Sequence, residues 1–142
     1  MKKASKILLL VGGIMSLVLA GIVLILSITF TVLGSPAVVE AIREGIEKGQ
    51  ITTSAANTEA AVIIFQSTMI TTAIFFYIWT VILIINGIIA LISRGKTSKG
   101  LYIASIILGF ASGVEVNAVG GIFGIIGTRR ERREQIIDVE SK

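Results

Sequence analysis

The 142-residue chain has no cysteine, no histidine and one proline, and only 15% of its residues are charged. Without cysteine there is neither a disulfide framework nor thiolate chemistry. Without histidine the commonest general base and the commonest metal ligand are missing. A disordered chain is excluded as well, because disorder goes with low hydrophobicity, whereas 54% of these residues are hydrophobic and the mean hydropathy is +0.91. Soluble domains carry about 25% charged residues. A soluble globule of this length could not bury so much apolar surface and still present a polar exterior. What remains is an all-α integral membrane protein.

Because charges are few, their positions divide the chain. No charge falls in the 33 residues between Lys6 and Glu40, nor in the 34 between Glu59 and Arg94. A bilayer core of about 30 Å needs about 20 helical residues, so each run accommodates one spanning helix and neither accommodates two. The first span is placed at about 7–33. Its lysine-led start resembles a signal peptide, but the apolar stretch far exceeds the 7–15 residues of a signal core. It therefore reads as an uncleaved helix with a cytoplasmic N-terminus. The second span is placed at about 69–93, with Ala60–Thr68 continuing the helix above the surface. Thr68, Thr71, Thr72 and Thr80 are expected to bond their own helix or a neighbour, as hydroxyls in lipid do. The aromatic block Phe75, Phe76, Tyr77 and Trp79 is expected to supply packing bulk against glycine-rich helices.

Residues 35–68 form the outer cap. Ser35-Pro36 predicts a helix start, a hydroxyl cap followed by a proline where no donor is wasted. Val38, Val39, Ile42 and Ile46 then share one face, and Glu40, Arg43, Glu44, Glu47 and Lys48 the other. Gly49 is the predicted stop. Asn57 or Thr58 caps the next helix, with Glu59 in its first turn.

The last apolar region, Gly100–Thr128, is interrupted by Glu115 and Asn117. Threaded as one helix, it would put Glu115 near mid-bilayer, at about +2.5 to +3.5 kcal/mol. It would also leave six basic residues inside and seven outside. Turned back at 113–117, it leaves eleven of the 13 basic residues inside and only Arg43 and Lys48 outside, which satisfies the positive-inside bias. The expected architecture therefore has four spans: two long helices and a short Gly-rich hairpin, at about 99–114 and 116–130, with a cytoplasmic tail at 131–142. Both termini are cytoplasmic and the protein is multi-pass in the cell membrane. The hairpin's two short helices would need snorkelling cations or local thinning. Ser105, Gly109 and Gly113, then Gly120 and Gly124, recur every four residues and are the expected helix-packing positions. Glu115 and Asn117 become turn residues or an outer polar site. Lys2, Lys3, Lys6, Arg94, Lys96, Lys99, Arg129, Arg130, Arg132 and Arg133 are the expected anchors on anionic headgroups.

Arg94-Gly95-Lys96-Thr97-Ser98-Lys99-Gly100, then Ile106-Ile107-Leu108-Gly109, then Gly120-Gly121-Ile122-Phe123-Gly124-Ile125-Ile126-Gly127 before Arg129-Arg130 give the chain a characteristic layout. It resembles a family of small, uncharacterised four-span membrane proteins of Gram-positive bacteria, known as a domain of unknown function. The resemblance implies a topology and no activity, so it transfers no functional residues.

The expected function is non-enzymatic. No phosphate-loop glycine pattern follows a strand, and no pair of acidic residues falls within the spans, so no metal and no cofactor is expected. The basic tail lacks aromatic partners and reads as a lipid anchor, with no nucleic acid as partner. The expected role is a small accessory, regulatory or immunity-type subunit that acts through protein or lipid contacts, with a membrane protein or a second copy as partner. The alternative is a pore-forming or transport protein, a holin-like oligomer with Glu115 and Asn117 at its outer mouth.

Overall fold

The structure, a computed structural model, describes residues 2–55, 57–96 and 98–140. Thr97 of the family-like basic turn, the side chains of the expected anchors Lys2 and Arg132, and the end of the tail at 141–142 lie outside the described residues. There are five helices and, among the described residues, no strand: α1 Lys2–Leu33, α2 Pro36–Glu47, α3 Thr58–Gly95, α4 Lys99–Ser112 and α5 Glu115–Glu140. The all-α class is as expected. Two helices, over Lys3–Leu33 and Thr58–Gly95, are long and apolar enough to cross a membrane. Only 28% of the most apolar stretch of each is buried, so neither is the enclosed core helix of a globule.

Beside a small apolar core that includes Leu9, Leu83, Ala90 and Tyr102, the helices bury many polar residues and expose many large apolar ones. Ser5, Ser16, Ser27, Thr80, Asn86, Ser93, Ser105, Ser112 and Asn117 are buried, while Ile7, Ile25, Ile107 and Phe110 are each more than 60% exposed. In water such an arrangement would lose both the hydrophobic term and the solvation of its polar groups.

Helix α2 starts and stops at the expected residues. Ser35 has the extended conformation of a cap, but its hydroxyl makes no capping bond. Instead its carbonyl accepts the amide of Val39 at 3.0 Å, while the Pro36 ring presets the first helical φ. Gly49 is left-handed at φ 68°. Ile51 then folds back onto Gly45, where a Cβ would meet its Cδ1 at 2.7 Å. Of the two cap candidates for α3 it is Asn57 that serves, its Oδ1 accepting the amide of Ala60 at 2.7 Å.

The break between α4 and α5 is shorter than the expected 113–117. Gly113 ends α4 in the left-handed conformation, φ 75°, Val114 is buried, and α5 resumes at Glu115. Asn117 is already helical, its amide donating to the Val114 carbonyl at 3.1 Å. Helix α5 also runs on to Glu140 instead of ending near 130. Residues 129–140 contain no Gly or Pro, and Arg, Glu and Gln sustain a helix well.

Two compact units can be distinguished, Met1–Ala20 with Val81–Lys142, and Gly21–Thr80. In the first, backbones come together on glycine. A Cβ on Gly13 would lie 3.2 Å from the Gly87 carbonyl oxygen, and one on Gly87 3.1 Å from that of Gly13, so α1 and α3 cross there. A Cβ on Gly109 would lie 2.6 Å from the Ala118 amide nitrogen, and one on Gly121 2.6 Å from the Tyr102 carbonyl oxygen, which sets α4 and α5 antiparallel. The second unit packs through rings instead. Phe30 stacks on Phe76 at 5.5 Å, and Phe75 and Phe76 meet Trp79 at 5.7 and 6.4 Å. The aromatic block therefore packs on itself and on Phe30, where padding against glycine-rich helices was expected.

Candidate functional site

The most differentiated site lies inside the first unit, where each of its four helices contributes one buried polar residue: Ser16 from α1, Asn86 from α3, Ser112 from α4 and Asn117 from α5. Ser16 is its centre. Its Oγ donates to the Gly12 carbonyl one turn back at 2.8 Å, and accepts from Asn86 Nδ2 at 3.2 Å and Asn117 Nδ2 at 3.0 Å. One proton and two lone pairs are all that a hydroxyl has, so Ser16 is saturated. The second hydrogen of Asn86 Nδ2 goes to Ser112 Oγ at 2.6 Å. Asn86 thus ties α1 to α4 from α3.

Both asparagines aim their NH₂ groups at hydroxyls, and their Oδ1 atoms are buried without a conventional donor among the described residues. For Asn117 the cause is visible. Its Oδ1 stands where a Cβ on Gly12 would be, so it faces the glycine hydrogen that occupies this direction, a weak Cα–H···O contact. Gly12 and Ser16, one turn apart on α1, grip the two ends of one amide.

Two further polar contacts lie in the same unit. Ser5 Oγ donates to the Gly120 carbonyl at 2.7 Å and joins α1 to α5. Ser93 Oγ bonds to the Ile89 carbonyl at 2.6 Å, approaches the Leu101 carbonyl at 3.3 Å and shares a bond with Ser105 Oγ at 3.2 Å, joining α3 to α4. Ser5, Ser16, Ser93 and Ser112 all direct a hydroxyl toward a backbone carbonyl. Of these protons only that of Ser5 crosses to another helix. Those of Ser16, Ser93 and Ser112 return to their own helices, and it is the oxygens of Ser16 and Ser112 that receive the amides of neighbouring helices. Among the described residues no three His, Cys, Asp or Glu side chains gather.

The expected packing positions separate. Ser105 is buried against Ser93, Gly109 against Ala118, Gly120 against Leu8 and Leu9, and Gly124 against the Tyr102 ring, with contacts for a Cβ at 2.5–3.2 Å for the three glycines. Gly113 differs, being exposed with nothing within 4 Å of a Cβ; it is the left-handed cap of α4, and its every-fourth-residue spacing from Gly109 does not reflect a contact. Glu115 and Asn117, paired in the sequence reading as turn or outer polar residues, part company: Glu115 is exposed at the start of α5, and Asn117 is 0% exposed within the polar cluster. Two residues along a helix differ by about 200° in direction, so neighbours this close face opposite ways. Lys3, Lys6, Arg94, Lys96, Lys99, Arg129, Arg130 and Arg133 are all exposed.

Gly12, Ser16, Asn86, Gly87 and Ser112 were missed from the sequence. The available signal was Asn86, the one amide side chain in the expected span 69–93, where a polar amide calls for a partner on another helix. No family model matches the chain, and no curated protein or solved structure is similar to it.

Proposed function

We propose that the chain is a non-enzymatic integral membrane protein with four spans and both termini in the cytoplasm, of the kind that the resemblance to four-span Gram-positive proteins implies. It acts as a small accessory, regulatory or immunity-type subunit. The observation that carries this is the burial pattern: serines and asparagines inside, isoleucines outside. Lipid is the solvent in which that arrangement is stable. Of the eleven cytoplasmic basic residues of this topology, the ten from Lys2 to Arg133 then rest on anionic headgroups, and α4 and α5 form the short hairpin that supplies the third and fourth spans. The 14 residues of α4 fall short of the roughly 20 that span a bilayer unaided. Exposed Lys99, Arg129 and Arg130 at its base suit the snorkelling that such a hairpin needs.

The pore reading is less well supported. It needs Asn117 at an open mouth, and Asn117 is buried with its amide bonded to Ser16. The polar groups close on one another without forming a lane along a helix.

The topology is tested by an impermeant maleimide on Glu115→Cys and Lys142→Cys in intact cells, against a background free of native cysteine. Position 115 is expected to label and position 142 to label only after permeabilisation. Labelling of 142 from outside overturns the four-span reading. Ion flux in proteoliposomes tests the role, with no conductance expected. A conductance abolished by Glu115→Ala would establish the pore instead.

A further inference from the structure

The α4–α5 hairpin is held at one level on the long helices of its unit. Its tip, residues 113–115, lies between Ser112, which accepts from Asn86 of α3 at 2.6 Å, and Asn117, which donates to Ser16 of α1 at 3.0 Å. Further down, Ser105 shares a bond with Ser93 of α3, and the Gly120 carbonyl accepts from Ser5 of α1. Fixed at four places, the hairpin cannot slide along its neighbours. Helix α1 is unbroken to Leu33, and α3 begins at Thr58. Residues 17–33 and 69–85 of the two long spans therefore run past the level of Ser16 and Asn86, by about 25 Å of helical rise on each. Ile22 and Ile25 on α1, and Ile74 and Ile78 on α3, are more than half exposed along these stretches and need lipid around them.

The lower end is fixed by charge. Lys6 and Arg94 directly follow the bonded Ser5 and Ser93, while Lys99 opens α4 and Arg129 follows the last apolar turn of α5. All four are exposed and have no ion pair among the described residues. With these cations on the cytoplasmic headgroups, the 14 residues of α4 rise about 21 Å into a hydrocarbon core of about 30 Å. Lifting the tip to the outer headgroups would draw the cations of all four helices into hydrocarbon. The shortfall of about 9 Å thus falls on the outer side. The group that meets it is Glu115, exposed in the first turn of α5 and without an ion pair among the described residues. A carboxylate among lipid chains is costly, so headgroups and their water come down to it.

We propose that the hairpin tip binds outer-leaflet phospholipid headgroups drawn below the ordinary membrane surface, so that the chain holds a thinned patch of bilayer on its hairpin side. The proposal rests on the four-span reading and gives its lipid contacts a place and a chemistry. A zwitterionic headgroup fits the tip, with its ammonium group facing the Glu115 carboxylate. On the other side of α1 the bilayer keeps its thickness. Val18 there is 58% exposed and lies about 200° around the helix from Ser16.

The test places a nitroxide on Ala111→Cys, exposed beside the tip, or on Val18→Cys, in the full chain in nanodiscs of dimyristoleoyl- or dierucoyl-phosphatidylcholine. Collisions with a water-soluble nickel chelate, and with oxygen dissolved in the lipid chains, are read by electron paramagnetic resonance. In the shorter lipid, position 111 is expected to be severalfold more accessible to nickel than position 18. The longer lipid deepens the shortfall and should lower nickel access at 111 severalfold. Glu115→Leu should do the same in the shorter lipid, while Glu115→Gln, which stays polar, keeps most of it. Oxygen-dominated collisions at 111 in the shorter lipid overturn the proposal, because the tip then lies among lipid chains. Equal nickel access at 18 and 111 also overturns it, because the whole level is then aqueous and nothing local is thinned. Unchanged access in Glu115→Leu overturns headgroup binding at this carboxylate. Nanodiscs open both faces to the reagents, so these outcomes do not depend on the topology. Maleimide labelling of Lys142→Cys from outside intact cells would remove the four-span reading while leaving the nanodisc results as they are.

Discussion

The two units of this chain solve helix packing in opposite ways. In Met1–Ala20 with Val81–Lys142, the contacts are made by the smallest side chains: Gly13 against Gly87, Gly109 against Ala118, Gly12 and Ser16 around Asn117. In Gly21–Thr80 the contact between α1 and α3 is made chiefly by the largest, with Phe30, Phe75, Phe76 and Trp79 in one cluster of stacked and edge-on rings. In lipid, helices gain little from the hydrophobic effect by associating, so each unit needs another source of stability. Glycine lets backbones approach until hydroxyls and amides reach across, and the contact becomes directional. Rings supply dispersion and quadrupole contact over a broad area without fixing a register. The small-residue unit is therefore the one that specifies a unique arrangement, and the ring unit the one that tolerates change.

The widest separation between the units is expected at Gly109. A side chain there meets the Ala118 backbone at 2.6 Å, and backbone cannot swing aside as a flexible side chain does. Gly109→Leu should cost about 3 kcal/mol or more, the upper range of overpacking, read as a collapse of thermal stability in detergent. Gly21 in the other unit has nothing within 4 Å of a Cβ, so Gly21→Ala should be neutral or stabilise by up to about 1 kcal/mol through helix propensity. Equal losses at the two positions would break the comparison.

That contrast also explains what could be read from the sequence and what could not. Helix ends were legible because capping is local chemistry: Pro36, Gly49, Asn57 and Gly113 each act through their own backbone or the next turn. The long apolar helices were legible because length and charge spacing are counted along the chain. The polar cluster was not, since Ser16 and Asn117 are separated by 101 residues and nothing near either one names the other. The small-residue spacing singled out Gly109, Gly120 and Gly124, which lie against neighbouring helices, together with Gly113, which does not, because a period of four does not distinguish a contact glycine from a cap. Periodicity likewise could not separate buried Asn117 from exposed Glu115, two residues away.

A smaller and more diagnostic effect is expected in the polar cluster. Gly12→Ala places a methyl group where Asn117 Oδ1 now sits, and should cost about 2 kcal/mol by overpacking. Asn117→Ala removes the amide that bonds Ser16, at about 1 kcal/mol for a hydrogen bond in lipid. Together they should cost clearly less than the sum, because the methyl then enters the space the amide vacated. Thermal unfolding of the four chains in one detergent closes this cycle. Strict additivity would mean that Gly12 is needed for something other than the Asn117 amide, and the directional character assigned to this unit would lose its best example.

A modest effect is expected in the ring cluster. Phe76 touches three other rings, at 5.5 Å to Phe30, 5.9 Å to Phe75 and 6.4 Å to Trp79, yet it is only partly buried. Phe76→Leu keeps most of the apolar volume and removes the ring contacts, each worth about 0.5–1.5 kcal/mol where buried. On the membrane reading proposed above, lipid surrounds the exposed part of this ring, and lipid or detergent chains replace much of what is lost. A net cost of about 1 kcal/mol is therefore expected, below that of a single methyl group at Gly12. The ordering decides more than the value. Should Phe76→Leu prove the more damaging in the same detergent, the rings would be setting the arrangement of their helices, and glycine would be filling gaps that the rings define.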